Sequence, residues 1–237
     1  MQVVLLRVGI DKGSGGIYGP IFQDDSFEFI CIPDKRNIDE RTYGTIIGKY
    51  GKPLIDYFPE SSRHKMENQP VHVDPEFTTF TYGDLVPLKS RLGQLEPGDL
   101  IAFYCGLKGW NCETEAALYL VGYFEVQRAV KAIDYSRQDL RPMFGDNFHV
   151  HHERVYNAQR EKLVLVKGTD NSRLLKKARL ISEVGHDKRW RRIHVLSKEM
   201  RERFGDFDGR VCIQRCPPRW VSPKYVEQAA QFIRSLE

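Results

Sequence analysis

A chain of 237 residues, 41% hydrophobic and 29% charged, has the composition of a soluble globular protein and enough length for a full core. No apolar run approaches the roughly 20 residues of a membrane helix, and Met1-Gln-Val-Val-Leu-Leu-Arg7 lacks the basic n-region and small-residue cleavage site of a signal peptide. The net charge of +4 is unevenly spread: residues 1–127 hold 12 Lys and Arg against 18 Asp and Glu, and residues 128–237 hold 24 against 14.

Residues 3–6 predict a short buried strand, followed at once by Arg7-Val-Gly-Ile-Asp-Lys-Gly-Ser-Gly-Gly-Ile-Tyr-Gly-Pro-Ile-Phe22. Glycine at 9, 13, 15, 16 and 19 marks positive φ angles or close approach of backbone to a ligand. A tight turn between core strands explains the loop equally well. Residues 25–32 alternate in part and predict a second strand closed by Pro33-Asp34. A short helix is expected near 42–49, then a loop to Pro70.

The turn Glu96-Pro-Gly-Asp99 launches a buried strand at 100–105. After Gly106-Leu-Lys-Gly109 a second apolar strand runs over 116–126, so the pair predicts an antiparallel hairpin at the heart of a sheet or barrel. Residues 163–167 predict a strand and 168–172 a turn. A helix is expected at 173–184, with Ser172 as N-cap and Leu174, Leu175, Ala178 and Ile181 as its apolar stripe. Residues 222–236 predict a last helix with Ser222 as cap and Pro223 at its first position. The fold class is therefore α+β, with a central, mostly antiparallel, barrel-like sheet and flanking helices. It is expected to be one compact domain over 1–237, with an acidic sheet-rich half (1–127) and a basic half containing helices (128–237).

The sharpest chemical candidate is Val71-His-Val-Asp-Pro75. His72 and Asp74, two apart, share a face if extended, and a His beside a carboxylate suits general acid–base work. A surface turn in which Asp74 acts as a cap is the plainer alternative. Asp11, His72 and Asp74 are taken as candidate catalytic residues. Arg7, Gly15, Gly16, Tyr82, Tyr104, His149, Ser172 and Arg173 are candidate substrate-binding residues. In Phe144-Gly-Asp-Asn-Phe-His-Val-His-His-Glu153 the spacing puts His149, His151 and Glu153 on one face of an extended segment. Metal is the lesser reading there, because no second His or Cys pair has zinc spacing; His149 is expected to act without metal. Gly168-Thr-Asp-Asn-Ser172 offers a helix N-terminus to a phosphate or is a plain cap. It is not a phosphate-binding loop of the Gly-Lys-Ser type.

Lys188, Arg189, Trp190, Arg191 and Arg192 form the densest basic run, with Trp190 placed to stack on a base. Arg215 and Arg219 beside Trp220 repeat the pairing. Both tryptophans read equally as core residues with arginine stacked on them. Five cysteines, scattered at 31, 105, 112, 212 and 216, suit reduced thiols and a cytoplasmic location.

Taken together, Arg7-Val-Gly-x-Asp11 with the following Gly-Gly-Ile-x-Gly-Pro-Ile-Phe22, Ile32-Pro-Asp34, His72-x-Asp-Pro75, Thr81-Tyr-Gly-Asp84 and Ser172-Arg-Leu-Leu175 resemble the nucleotide modification associated domain of the third type. The likeness covers nearly the whole chain. It implies a nucleic-acid context in DNA base modification and no particular reaction. Pro97-Gly-Asp-Leu-Ile-Ala-Phe-Tyr104 and Val121-Gly-Tyr-Phe-Glu-Val126 are similar to the paired strands of PUA-like and EVE-like barrels. These bind modified bases or RNA, and the likeness casts Tyr104, Trp110 and Tyr123 as stacking surfaces. The expected function is a DNA base or nucleotide modification enzyme; the alternative is a non-catalytic reader of modified bases. DNA is the first expected partner and RNA the second, with no membrane. Cofactor and oligomeric state are not assigned by the sequence.

Overall fold

The computed structural model describes residues 1–85, 90–214 and 217–237. In chain order the strands and helices are β1 (Val3–Arg7), β2 (Gly19–Ile21), β3 (Ile32–Pro33), α1 (Glu60–Met66), β4 (Val71–His72), β5 (Thr81–Leu85), β6 (Leu100–Gly109), β7 (Ala117–Lys131), α2 (Arg137–Phe144), α3 (Phe148–His151) and α4 (Glu153–Gln159). They continue as β8 (Leu163–Gly168), β9 (Arg173–Leu180), β10 (Ser182–His186), β11 (Arg192–Leu196), α5 (Lys198–Phe204), β12 (Arg219–Trp220) and α6 (Val226–Arg234).

The main sheet runs β12-β1-β6-β7-β8-β5, with β2 joined to β6 and β9 to β7. Pairings of β1 and β2 with β6 are parallel and the rest antiparallel. The α+β class holds. The sheet is mixed and not closed into a barrel: among the described residues nothing pairs β12 with β5. The β6–β7 hairpin is the spine, as its two apolar runs require, and β6 continues to Gly109, so the connection falls later than Gly106–Gly109. β7 is long enough to take β8 along its second half and β9 along its first. Helices α2 to α4 cover the β8 side over a core of Leu140, Phe144, Val150, Tyr156, Leu163 and Leu165.

Four expected elements differ. Residues 173–184 are strands β9 and β10, not a helix. Leu175, Ala178 and Ile181 are buried three apart because the β7–β9 register shifts at Leu120/Gly122, which gives a bent strand the spacing of a helix face. Residues 42–49 form bridged turns (Thr42 with Pro70, Ile47 with Pro53) rather than a helix, and α1 lies in the stretch expected to be loop. Of residues 25–32 only the end is regular strand, since Phe27, Glu28, Phe29, Ile30 and Cys31 are all buried and no alternation survives. The last helix is split: Pro223–Tyr225 is a 3-10 turn, Ser222 makes no side-chain cap, and α6 follows.

Ser172 is thus not at a helix N-terminus, which removes the anion site expected there. Its hydroxyl is buried and accepts the Glu125 N–H at 3.1 Å.

Candidate functional site

β4 pairs with β3 through His72 and Ile32, and Asp74 follows in a tight turn closed by its own N–H to the His72 carbonyl. The Asp74–Pro75 peptide is cis. The next residues form a self-sufficient turn, in which the Glu76 carboxylate accepts the Thr78 and Thr79 N–H groups and the Thr79 hydroxyl. β5 then returns alongside and brings Tyr82, Gly83 and Asp84 to the same place.

Asp74 is buried and well held. Its carboxylate accepts the Gly83 N–H at 3.0 Å and the Asn147 side-chain amide at 3.4 Å, and lies 3.2 Å from His149 Nε2. His149 is fixed from behind by Gln159 Oε1, 2.7 Å from its Nδ1. Gly83 is needed for this approach: a Cβ there would stand 2.5 Å from the His149 ring. His72 stacks on Phe148 (3.9 Å between centroids, 25° between planes), which points its Nε2 toward Asp74 at 3.9 Å. That nitrogen is buried and has no hydrogen-bond partner.

Burial dominates the electrostatics. It pushes Asp74 up to about 6 against the opposing pull of His149 and the Gly83 N–H. Burial and then the neighbouring His149 push His72 down to about 3. Burial alone would lower His149, but its bonds to Asp74 and Gln159 outweigh it and raise the pKa. His72 is therefore neutral at neutral pH, beside the hydrogen-bonded Asp74 and His149.

These groups open onto a cavity of about 410 Å³ lined also by Arg7, Gly9, Asp11, Ser14, Tyr82 and Asp84. Arg7 pairs with Asp11 at 2.6 Å, and the other Asp11 oxygen takes the Gly13 N–H at 2.7 Å. Both Asp11 oxygens are engaged, so this side chain staples the loop and aims Arg7. Gly15 and Gly16 shape the loop at positive φ, +111° and +85°; a Cβ on Gly15 would collide with Ile10, and neither glycine lines the cavity. Tyr82 donates to Asp84 at 2.9 Å.

The structure thus gathers Arg7, Asp11, His72, Asp74, Tyr82 and His149 around one cavity. It does not gather the others. Tyr104 is fully buried, with its hydroxyl donating to the Ile213 carbonyl at 3.0 Å, so it is a core residue and cannot touch substrate. Tyr123 is buried under the Arg173 guanidinium and Trp110 sits edge-on to Tyr57, so Tyr104, Trp110 and Tyr123 form no common stacking surface. Ser172 and Arg173 belong to the β7–β9 pairing. His149 and His151 do not share a face: α3 is helical, which buries His149 and exposes His151. Gly83 and Asp84 stand in the Thr81-Tyr-Gly-Asp84 motif without an assigned role. The residues missed by sequence reasoning are Asn147, Phe148 and Gln159; Asn147 and Phe148 sit beside His149, while Gln159 carried no signal.

The basic run forms the tip of the β10–β11 hairpin. Trp190 has positive φ and is 83% exposed, tilted against His186. Lys188 and Arg189 are exposed, Arg191 pairs with Asp187 and Arg192 with Glu115. Burial, then Arg192, then Arg7 lower the pKa of His194, which pairs with Val184 midway along the hairpin. Arg219 is tied into the protein by its bond to the Cys212 carbonyl. Arg215 lies outside the described residues.

A second, larger cleft of about 790 Å³ lies on the far side of Phe148, lined by Asp39, Arg41, Glu76, Arg137, His151 and His152 among others. Asp39 is buried and accepts two Arg41 guanidinium bonds (2.9 and 2.6 Å), with His152 Nε2 at 3.3 Å. Burial raises its pKa, but Arg41 and then His152 prevail and hold it at about 2. A depressed carboxylate stabilises the fold above its ordinary pKa and loses that contribution as pH falls through the folded value. Stability is therefore expected to drop by about 2 kcal/mol between about pH 4 and pH 2 on account of Asp39. Urea unfolding over that range should show a shallower decline in Arg41→Gln; an identical slope would exclude the assignment.

Among the described residues no helix is long and apolar enough to cross a membrane. No curated protein and no solved structure matches the chain. The family model of nucleotide modification associated domain 3 matches residues 2–233, nearly the full length, and the chain belongs to that family.

Proposed function

We propose that the protein is an enzyme that modifies a nucleobase or nucleotide in the cavity between the glycine loop and the His72–Asp74 turn. The observation that carries this reading is the convergence of Arg7, Asp11, His72, Asp74, Tyr82 and His149 on that one cavity, in a family named for association with nucleotide modification. About 410 Å³ suits a nucleoside-sized ligand and not a duplex, so a polymeric substrate enters as a single-stranded or flipped base. Asp74, oriented by His149 and Gly83, serves as base or nucleophile. His72 carries the proton, and Arg7 binds a phosphate or a base oxygen. DNA is the favoured substrate source and RNA the alternative.

Mass spectrometry of nucleosides from the DNA and RNA of cells with and without the protein tests the reading. A new nucleoside dependent on His72 and Asp74 supports it. Binding that depends on a modified base, with no product formed, would replace it with a reader.

The hairpin tip is the proposed nucleic-acid contact. Trp190→Ala should weaken single-stranded DNA binding by about 1–3 kcal/mol, the worth of one stacked base. Its exposure means the melting temperature should not move. Removing Lys188 and Arg189 should flatten the dependence of log K on log salt. Unchanged affinity in titrations of all three variants would move the contact elsewhere.

A further inference from the structure

We infer that His72, Asp74 and His149 form a site for one first-row divalent transition-metal ion. The inference concerns the same cavity as the reading above but stands without it, because metal binding is measured with no substrate present.

The three side chains each present one ligand atom, and these atoms lie within 4.8 Å of one another. His149 Nε2 and His72 Nε2 are 3.2 and 3.9 Å from the same Asp74 oxygen. An ion about 2.1 Å from each would space its ligands roughly 3 to 3.5 Å apart. With the ligand atoms up to 4.8 Å apart, closing the set needs His72 to shift toward the other two by about 1.5 Å.

The clearest mark is the His72 Nε2 atom, buried without a partner and aimed at Asp74. A buried, unsatisfied polar atom calls for an explanation, and a bound ion is one. The surroundings agree. A metal-ligating imidazole normally has its other nitrogen fixed by an outer group, as Gln159 fixes His149. Asp74 is likewise fixed by Gly83 and Asn147.

Two imidazoles and one carboxylate favour a transition metal over Mg²⁺ or Ca²⁺, which take oxygen ligands. Three protein ligands on one wall leave the remaining positions open to the cavity, where Arg7, Tyr82 and Asp84 stand. That is the arrangement of an exchangeable rather than a purely structural ion.

The test uses full-length protein stripped with a chelator and titrated with Co²⁺, with Zn²⁺ as competitor and Mg²⁺ as control. One equivalent of Co²⁺ should bind, give visible d–d absorption and raise the melting temperature. His72→Gln and His149→Gln should each weaken binding at least about tenfold, and Gln159→Leu about 10- to 100-fold. His151→Ala and His186→Ala, both exposed, should bind as the parent does. His72 is at the cavity edge, so its variant keeps a folded reference, checked by the melting temperature in chelator. The site is overturned by absence of stoichiometric Co²⁺ binding, by binding unaffected in His72→Gln, by loss in the His151 or His186 variants, or by Mg²⁺ competing as well as Zn²⁺. Metal bound at the triad with no nucleoside changed would remove the modification reading and keep the ion; a nucleoside modified by protein that binds no Co²⁺ would do the reverse.

Discussion

Asp74→Asn is expected to lower nucleoside modification at least about 100-fold, the scale on which a positioned proton-transfer group contributes, while leaving the protein folded. The substitution keeps the shape of the side chain. Its carbonyl can still accept the Gly83 N–H, and its amide can donate to a neutral His149 Nε2 in place of the present contact at 3.2 Å. What it removes is the negative charge on which His149 and His72 converge. Binding of single-stranded nucleic acid should stay within a few-fold, because the contact proposed for it, the hairpin tip around Trp190, is a separate surface. The paired measurements are product nucleoside by mass spectrometry and affinity by titration. Turnover equal to the parent would end the catalytic assignment of Asp74, and parallel loss of affinity would show that the site only binds.

Phe124→Ala should cost about 3–5 kcal/mol of stability, the usual range for removing a fully buried phenylalanine. Phe124 has no exposed surface. Its ring meets Phe103 at 4.8 Å, Phe77 at 5.4 Å and Phe80 at 5.9 Å, each edge to face. Deleting it opens a void beside the rings of Phe77, Phe80 and Phe103. The effect reaches the site, since Phe77 and Phe80 bracket the turn behind Asp74 and Phe103 packs against Tyr82. The urea midpoint should fall with the m-value unchanged, and Phe124→Leu should recover most of the loss. A shift under about 1 kcal/mol would mean that the cluster collapses around the gap.

His72 and Asp74 were legible because their signal is local: two residues apart, next to a proline, in a stretch with no competing pattern. Arg7 and Asp11 were legible for the same reason. The dyad itself was not. Asp74 and His149 are 75 positions apart, and spacing alone puts His149 in an extended segment with His151, whereas the short helix α3 turns one inward and the other out. Gln159 is an ordinary residue at the end of α4, made important only by the nitrogen it faces. Tyr104 shows the opposite error. An aromatic residue on an apolar strand near a predicted site is indistinguishable in sequence from a stacking platform, and here it is core.

Strongly apolar runs determine strands whatever surrounds them, and this chain's composition, its β6–β7 hairpin and its family likeness follow from such local patterns. Where burial is irregular, local pattern misleads: β9 carries helix-like spacing because it holds the extra residues of an irregularity in its pairing with β7. Only the tertiary structure decided that the sheet stays open, that six polar residues from separate segments share one cavity, and that one histidine nitrogen is buried beside Asp74 without a hydrogen bond. Those outcomes depend on strand pairing and side-chain burial between segments tens of residues apart, and no window of sequence contains that information.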